Sequence, residues 1–231
     1  MCGRYSLDAG LENIDERYKI RKAGHKFSPH YNIPPSTINP VITGEDGQNV
    51  MTLMKWGLIP FRSKGERVKF STINARSETV ETSPVYRQPF KTNRALIPFT
   101  GFIEWKKHTE NGKLEKIPFF IYCKGMTDKI ASFAGLFDVW HEGTKEELRS
   151  YTIITTTPNR LMEPIHDRMP VILHERDESI WLDSKIENTE LLKRVLKPYS
   201  GQMEVYPIST SVNSPGNDTP QVLHETLERS Y

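Results

Sequence analysis

The sequence predicts an α+β fold with a largely antiparallel β portion, and three observations predict it. Its apolar residues fall mostly in short runs of strand length rather than in long helical stripes. Two pairs of these runs are joined by segments of hairpin type. Sixteen prolines are spread through 231 residues, which keeps the elements short.

The elements follow in chain order. LENIDERYKI places Leu11, Ile14 and Tyr18 at helical spacing, with Asp8 available as an N-cap. VMTLMKWGLIPF has strand character and ends at a proline. RALIPFTGFIEWKK and IPFFIYCK flank HTENGKLEK, in which Asn111-Gly112 is a strong hairpin turn. ASFAGLFDVW and RSYTIITTT flank HEGTKEEL and predict a second hairpin, and RMPVIL is a further short strand. SIWLDS and TELLKRVLKPY predict late helices, the second with Leu191, Leu192, Val195 and Leu196 on one apolar face. No repeat, low-complexity tract or linker interrupts the chain, so residues 1–231 are read as one domain.

Composition removes several function classes. No apolar run approaches the ~20 residues that span a bilayer, so no membrane association is expected. Arg4, Asp8, Glu12 and Asp15 interrupt any signal-peptide core, and a cytoplasmic location is expected. Two cysteines, Cys2 and Cys123, make no disulfide framework, and neither lies in a cluster with zinc-ligand spacing. No metal or cofactor is therefore expected. A net charge of +2 is too mild to announce a nucleic-acid binder. The charge is unevenly spread, however. Lys55, Arg62, Lys64, Arg67, Lys69 and Arg76 face a single acid, Glu66, whereas the tail carries Asp218, Glu225 and Glu228 against Arg229. Such a basic run is more often a solvated loop than a binding patch.

The chain opens MCGRYS, with one of its two cysteines directly behind the start methionine. Termini are usually poorly ordered unless something ties them down. Cys2 is therefore either incidental or the true N-terminus and chemically active. Three further stretches are chemically dense: INARSET (73–79), GFIEW (101–105) and IHDRMPVIL (165–173). Singly, none is specific. Together they supply a thiol, an amide, a guanidinium, a carboxyl and an imidazole.

MCGRY, YNIPPS, KWGLIPF, NARSET, LIPFTGFIEW, TTTPN, IHDRMPVIL and VNSPGNDTP occur in this order, and the chain resembles the SRAP family (SOS response-associated peptidase proteins) over nearly its whole length. The resemblance implies a compact, barrel-like β core with a few short helices. It also implies binding of abasic sites in single-stranded DNA and covalent crosslinking to them through an N-terminal cysteine. The chemistry of the residue agrees. Once Met1 is removed, Cys2 carries an α-amine and a thiol two carbons apart. The amine can condense with the open-chain aldehyde of an abasic sugar, and the thiol can close the imine to a thiazolidine. A model α-amine titrates near ~7.7–8.0, so a useful fraction is neutral at physiological pH.

The resemblance and the chemistry of the side chains together suggest roles residue by residue. Glu104 matches the family's essential glutamate and is the expected general acid/base. Asn74 is expected to hold the N-terminal amine or a sugar hydroxyl, and His166 to shuttle a proton. Arg76 and Arg4 are expected on phosphates. Trp56, Phe61 and Trp105 are expected to stack on bases without reading them. Thr155 and Asn159 offer further donors to phosphate. For each residue an ordinary structural role is the competing explanation: a strand glutamate, a turn asparagine, an Arg76–Glu78 pair, a hydrogen-bonded histidine, core tryptophans. Trp140, Trp181 and Cys123 are assigned to the core.

Thr100, Ile103, Phe61 and Gly216 stand where the family usually has an aspartate, an aromatic, a tryptophan and a basic residue, so the resemblance does not carry over the fine details of DNA contact, while Cys2, Asn74, Glu104 and His166 are untouched by these departures. Two other functions compete: a cysteine peptidase cutting mainly its own Met1–Cys2 bond, and a non-catalytic single-strand binding module. A monomer is expected, with abasic single-stranded DNA as its partner and replication-fork proteins as further candidates.

Overall fold

The computed structural model describes residues 2–20, 26–64, 71–110, 112–126 and 129–226. Among the described residues, thirteen strands form two sheets. The first has five strands, β1 (Tyr5–Leu7), β2 (His30–Ile33), β7 (Gly101–Glu110), β8 (Lys113–Cys123) and β13 (Met203–Pro207), in the order β13-β8-β7-β1-β2. All of its pairings are antiparallel.

The second sheet closes on itself. β3 (Ile38–Glu45), β4 (Gln48–Trp56), β6 (Arg94–Phe99), β9 (Ala131–Trp140) and β10 (Leu148–Thr156) run in the order β10-β4-β3-β6-β9, and β9 also pairs with β10. The ring is mixed because β10 runs parallel to β4. β5 (Asn74–Arg76) adds to β10 in parallel, while β11 (Met169–Pro170) and β12 (Ile172–Leu173) pair with β10 and β9. A five-stranded barrel abolishes the exposed edges that an open sheet of this size would carry. The expected α+β fold with a barrel-like core is the fold observed.

Four short α-helices among the described residues surround the strands: α1 (Leu11–Tyr18), α2 (Arg87–Thr92), α3 (Glu175–Leu182) and α4 (Thr189–Val195). α1 buries Ile14 and Tyr18, as its spacing predicts. Its N-cap is Gly10 rather than Asp8, whose backbone N–H is instead taken by Thr100 Oγ1 at 2.9 Å. α4 has a side-chain cap, because Asn188 accepts from the Glu190 and Leu191 amides. Both predicted hairpins form, with β7–β8 in continuous register from Phe102↔Ile121 to Glu110↔Lys113 and β9–β10 from Ile153↔Gly135 to Leu148↔Trp140. Asn111 itself lies outside the described residues. β4 ends at Gly57, whose φ of +119° only glycine adopts readily, so GLIPF does not continue the strand. RMPVIL is split into two pairing segments rather than one strand. No described helix is long and apolar enough to cross a membrane.

The main core lies between barrel and sheet. Phe99 and Phe133 stack at 3.6 Å, Phe102 packs edge-on to both, and Tyr5 abuts Trp56 and Phe133. A smaller apolar cluster covers the other face of the five-stranded sheet, formed by Ile103, Phe120, Ile208, Val212 and Val222. There Phe120 crosses directly over Gly101, where a Cβ would lie 2.1 Å from its ring, so TGF requires that glycine. The alternation of β7 thus sends Ile103 to one face and Glu104 to the other.

Candidate active site

The N-terminal segment is tied down by strand pairing. Tyr5 pairs with Phe102 and Ser6 with Gly101 in antiparallel register. The register persists beyond β1, since the Ile103 N–H donates to the Arg4 carbonyl at 3.0 Å. Continued one step further, it brings residues 2 and 3 alongside Glu104 and Trp105. Cys2 is therefore an ordered residue, fully buried in the main core. Burial, reinforced by the charge on Glu104, pushes its thiol far above the ordinary value.

Three other segments converge on this point. β5 is held parallel to β10, with Asn74 opposite Ile153, and the Asn74 side-chain Nδ2 donates to the Cys2 carbonyl at 2.8 Å. Its Oδ1 is buried and has no hydrogen-bond partner among the described residues. Glu104 is 3% exposed, and burial pushes its carboxyl up to about 7. At neutral pH it can therefore both give and take a proton. His166 Nε2 lies 4.0 Å from Glu104 Oε2. Burial also holds this imidazole below its ordinary value, so its neutral form is favoured. Its Nδ1 accepts the Arg168 backbone N–H at 3.0 Å and lies 2.8 Å from Asp167 Oδ1, while Nε2 is the ring nitrogen on the Glu104 side.

The turn that carries His166 is built by Asn159. Its Oδ1 accepts from the Met162 amide at 3.1 Å, its Nδ2 donates to the Tyr199 carbonyl at 3.0 Å, and the His166 N–H in turn bonds the Met162 carbonyl. Arg168 ties this turn to the segment after β5. Its guanidinium grips Glu78 through two bonds of 2.6 and 2.9 Å and donates to the Thr155 carbonyl at 2.7 Å. The sequence reading offered Arg76 as the partner of Glu78. The pair is Arg168–Glu78, and Arg76 is left exposed beside the site.

A cleft of about 370 Å³ opens over this cluster, lined by Glu104, Trp105, Lys107, Lys116, His166 and Asn213. Trp105 is half-buried at its wall, its Nε1 donating to Asn213 Oδ1 at 2.7 Å. Cys2, Asn74, Glu104, His166 and Trp105 are thus brought together, with Arg76 at the margin.

Other expected contacts are placed differently. Trp56 is fully enclosed, its Nε1 bonded to the Ile73 carbonyl and its ring stacked on Tyr151, so it has no face to offer a base. Arg4 is 9% exposed and its Nη1 is taken by Asn32 Oδ1 at 2.6 Å and the Val212 carbonyl at 2.9 Å, so it anchors the 212–218 loop instead of a phosphate. Thr155 is buried with its hydroxyl on the Ala75 carbonyl, and Asn159 is occupied within its own turn. Phe61 is exposed, under the Arg62 guanidinium, but lines a separate cleft with Phe137, Asp138 and His141. Arg67 and Lys69 of the basic run and Glu228 and Arg229 of the tail lie outside the described residues. Trp140, Trp181 and Cys123 are in the core, and burial pushes the Cys123 thiol up to about 12.

Asn32 and Asn213 were given no role from the sequence, and Arg168 only a possible pairing with Asp167, although all three lie in stretches that carry the family resemblance, YNIPPS, VNSPGNDTP and IHDRMPVIL.

Comparison with known proteins identifies the family. The family model described as SOS response associated peptidase (SRAP) matches residues 1–215. The abasic site processing protein YoqW of Bacillus subtilis is 38% identical over 226 residues, covering 96% of this chain and 99% of the relative. The abasic site processing protein HMCES of Xenopus tropicalis is 29% identical, covering 96% of this chain and 78% of the relative. A crystal structure of a protein from Bacteroides thetaiotaomicron superposes with a TM-score of 0.84 at 30% identity, covering 98% of this chain and all of that one.

Proposed function

The chain belongs to the SOS response-associated peptidase (SRAP) family, and from that membership we propose that it recognises abasic sites in single-stranded DNA and captures them covalently through Cys2, shielding the lesion during the DNA damage response. Removal of Met1 exposes the α-amine. The neutral amine adds to the sugar aldehyde, and the carbinolamine loses one water to give an imine. The thiol sulfur then bonds to the imine carbon while its proton ends on nitrogen, closing a five-membered thiazolidine.

Each proton movement has a group to serve it. Glu104, poised near neutrality, protonates the departing hydroxyl and takes up the thiol proton. His166 is the second proton carrier, 4.0 Å from that carboxylate. Asn74 fixes residue 2 through its carbonyl, so that the amine and sugar meet as neighbours within one site. Trp105 offers a stacking surface at the cleft wall and Arg76 a guanidinium for a phosphate.

The observation that carries this reading is the convergence of an amide, a carboxyl and an imidazole on a buried second-position cysteine. Cleavage of its own Met1–Cys2 bond is compatible with the crosslinking role.

The test is incubation with an abasic single-stranded oligonucleotide, read on a denaturing gel and by intact mass. The expected adduct contains the chain without Met1 joined to DNA with loss of one water, and Cys2→Ala forms none. A tag that blocks Met1 removal should abolish the adduct and spare DNA binding. Equal crosslinking by the tagged protein would sink the thiazolidine route.

A further inference from the structure

The hairpin that carries Glu104 continues outward as two strands that pair position by position. Near its tip the pairs are ordinary. His108 stands opposite Glu115, and Lys113 pairs with Glu115 at 3.6 Å. Nearer the site the rule fails: Lys107 stands directly opposite Lys116. Directly opposed residues have Cβ atoms only about 4.5–5.5 Å apart, and like charges there are destabilising. Neither lysine forms an ion pair with a described residue, and both are exposed. Both also line the cleft over Glu104 and His166, beside Trp105.

We propose that Lys107 and Lys116 form a phosphate clamp that takes the backbone of a nucleic-acid strand as it leaves the cleft. An anion between the two ammonium groups turns their repulsion into two charge-assisted contacts. The clamp reads no sequence, because phosphate carries none. It also gives the strand a direction across the molecule. The exposed Arg76 flanks Asn74 at the end of β5, and the lysine pair stands on the hairpin beyond Trp105, so a strand held at both has its central nucleotide over Glu104 and His166. The inference rests on the single-strand reading above, but it is tested without the covalent step.

The test measures binding of an intact, lesion-free single strand across a salt series, for the wild type and for Lys107→Gln/Lys116→Gln. Each lost phosphate contact should make the slope of log K against log salt shallower by about 0.7, so the double variant should lose about 1.4. It should bind about 25-fold more weakly at 0.1 M salt and converge with the wild type near 1 M. Lys113→Gln at the hairpin tip should leave the slope unchanged. Thermal unfolding of the double variant should occur no lower than in the wild type, because a repulsive pair has been removed. Equal slopes for the double variant and the wild type overturn the clamp, and if the wild type still crosslinks abasic DNA, the functional reading survives that loss. A shallower slope in protein that never crosslinks keeps the clamp and removes the crosslinking. A wild type that binds no single strand removes both.

Discussion

Two buried carboxylates mark two kinds of region in this molecule. Glu178 on α3 is gripped by Arg17 at 2.7 and 3.1 Å and receives the Ser132 hydroxyl at 2.6 Å, so it seams α1 and α3 to the barrel. Glu104 on β7 has instead an imidazole at 4.0 Å, the Cys2 thiol within reach of its charge and an open cleft above. Burial raises both acids above the ordinary glutamate value. Burial alone therefore does not distinguish chemistry from architecture. The partners do: a bidentate guanidinium and a hydroxyl fix a charge in place, whereas an imidazole and a thiol give it protons to exchange.

The largest expected effect separates the two by reaction rate. Glu104→Gln keeps the shape and removes the proton, so adduct formation should slow by about 10²–10⁴-fold, the usual worth of a general acid/base. Glu178→Gln should react at the wild-type rate per folded molecule. Single-turnover crosslinking at a fixed pH reads both. A wild-type rate in Glu104→Gln would remove this carboxyl from the mechanism and collapse the contrast.

Stability reverses the order. Glu178→Gln leaves the Arg17 guanidinium buried without its main counter-ion, and denaturant unfolding should report a loss of about 3 kcal/mol or more. For Glu104→Gln the sign depends on pH. Folding raises the Glu104 pKa to about 7, so the neutral form is the one the fold favours. The associated stability is fully present below the ordinary glutamate value and is lost as pH rises through about 7. Between pH 5 and pH 8 the wild type should lose on the order of 2–3 kcal/mol relative to Glu104→Gln. Parallel stability curves for the two proteins would show that the carboxyl does not titrate in that window.

Much of this was legible in the sequence where the signal is local. Asn111-Gly112 announced the β7–β8 hairpin, and the spacing of Ile14 and Tyr18 announced α1. The closure of the barrel was not legible from periodicity, because β10 reaches β4 in parallel across about 90 residues, and such pairing leaves no turn to read. The same limit decided the aromatics. Trp56 and Trp105 both sit near basic residues in sequence, yet Trp56 turns into the core and Trp105 into the cleft wall. Which way each points depends on strand phase relative to a sheet that sequence alone does not place. Arg4, Thr155 and Asn159 were expected on phosphate and serve the fold, because a buried loop or turn must satisfy its backbone groups from nearby polar side chains.

The smallest effect bears on how tightly the chemical region is built. Asn74 contributes one bond, Nδ2 to the Cys2 carbonyl at 2.8 Å, and no proton to the reaction. Its Oδ1 is buried with no partner among the described residues, and the proposed reaction gives it the terminal amine or a sugar hydroxyl to accept from. Asn74→Ala removes donor and acceptor together, and a hydrogen bond of about 1–1.5 kcal/mol predicts adduct formation about five- to tenfold slower. Asn74→Asp keeps an acceptor and loses the donor. If the acceptor is what orients the amine, the aspartate variant should recover most of the rate. If the bond to the Cys2 carbonyl is what matters, it should be as slow as alanine. Either result locates the function of Asn74 on one atom. A wild-type rate in both would mean that strand pairing with β7 positions residue 2 unaided.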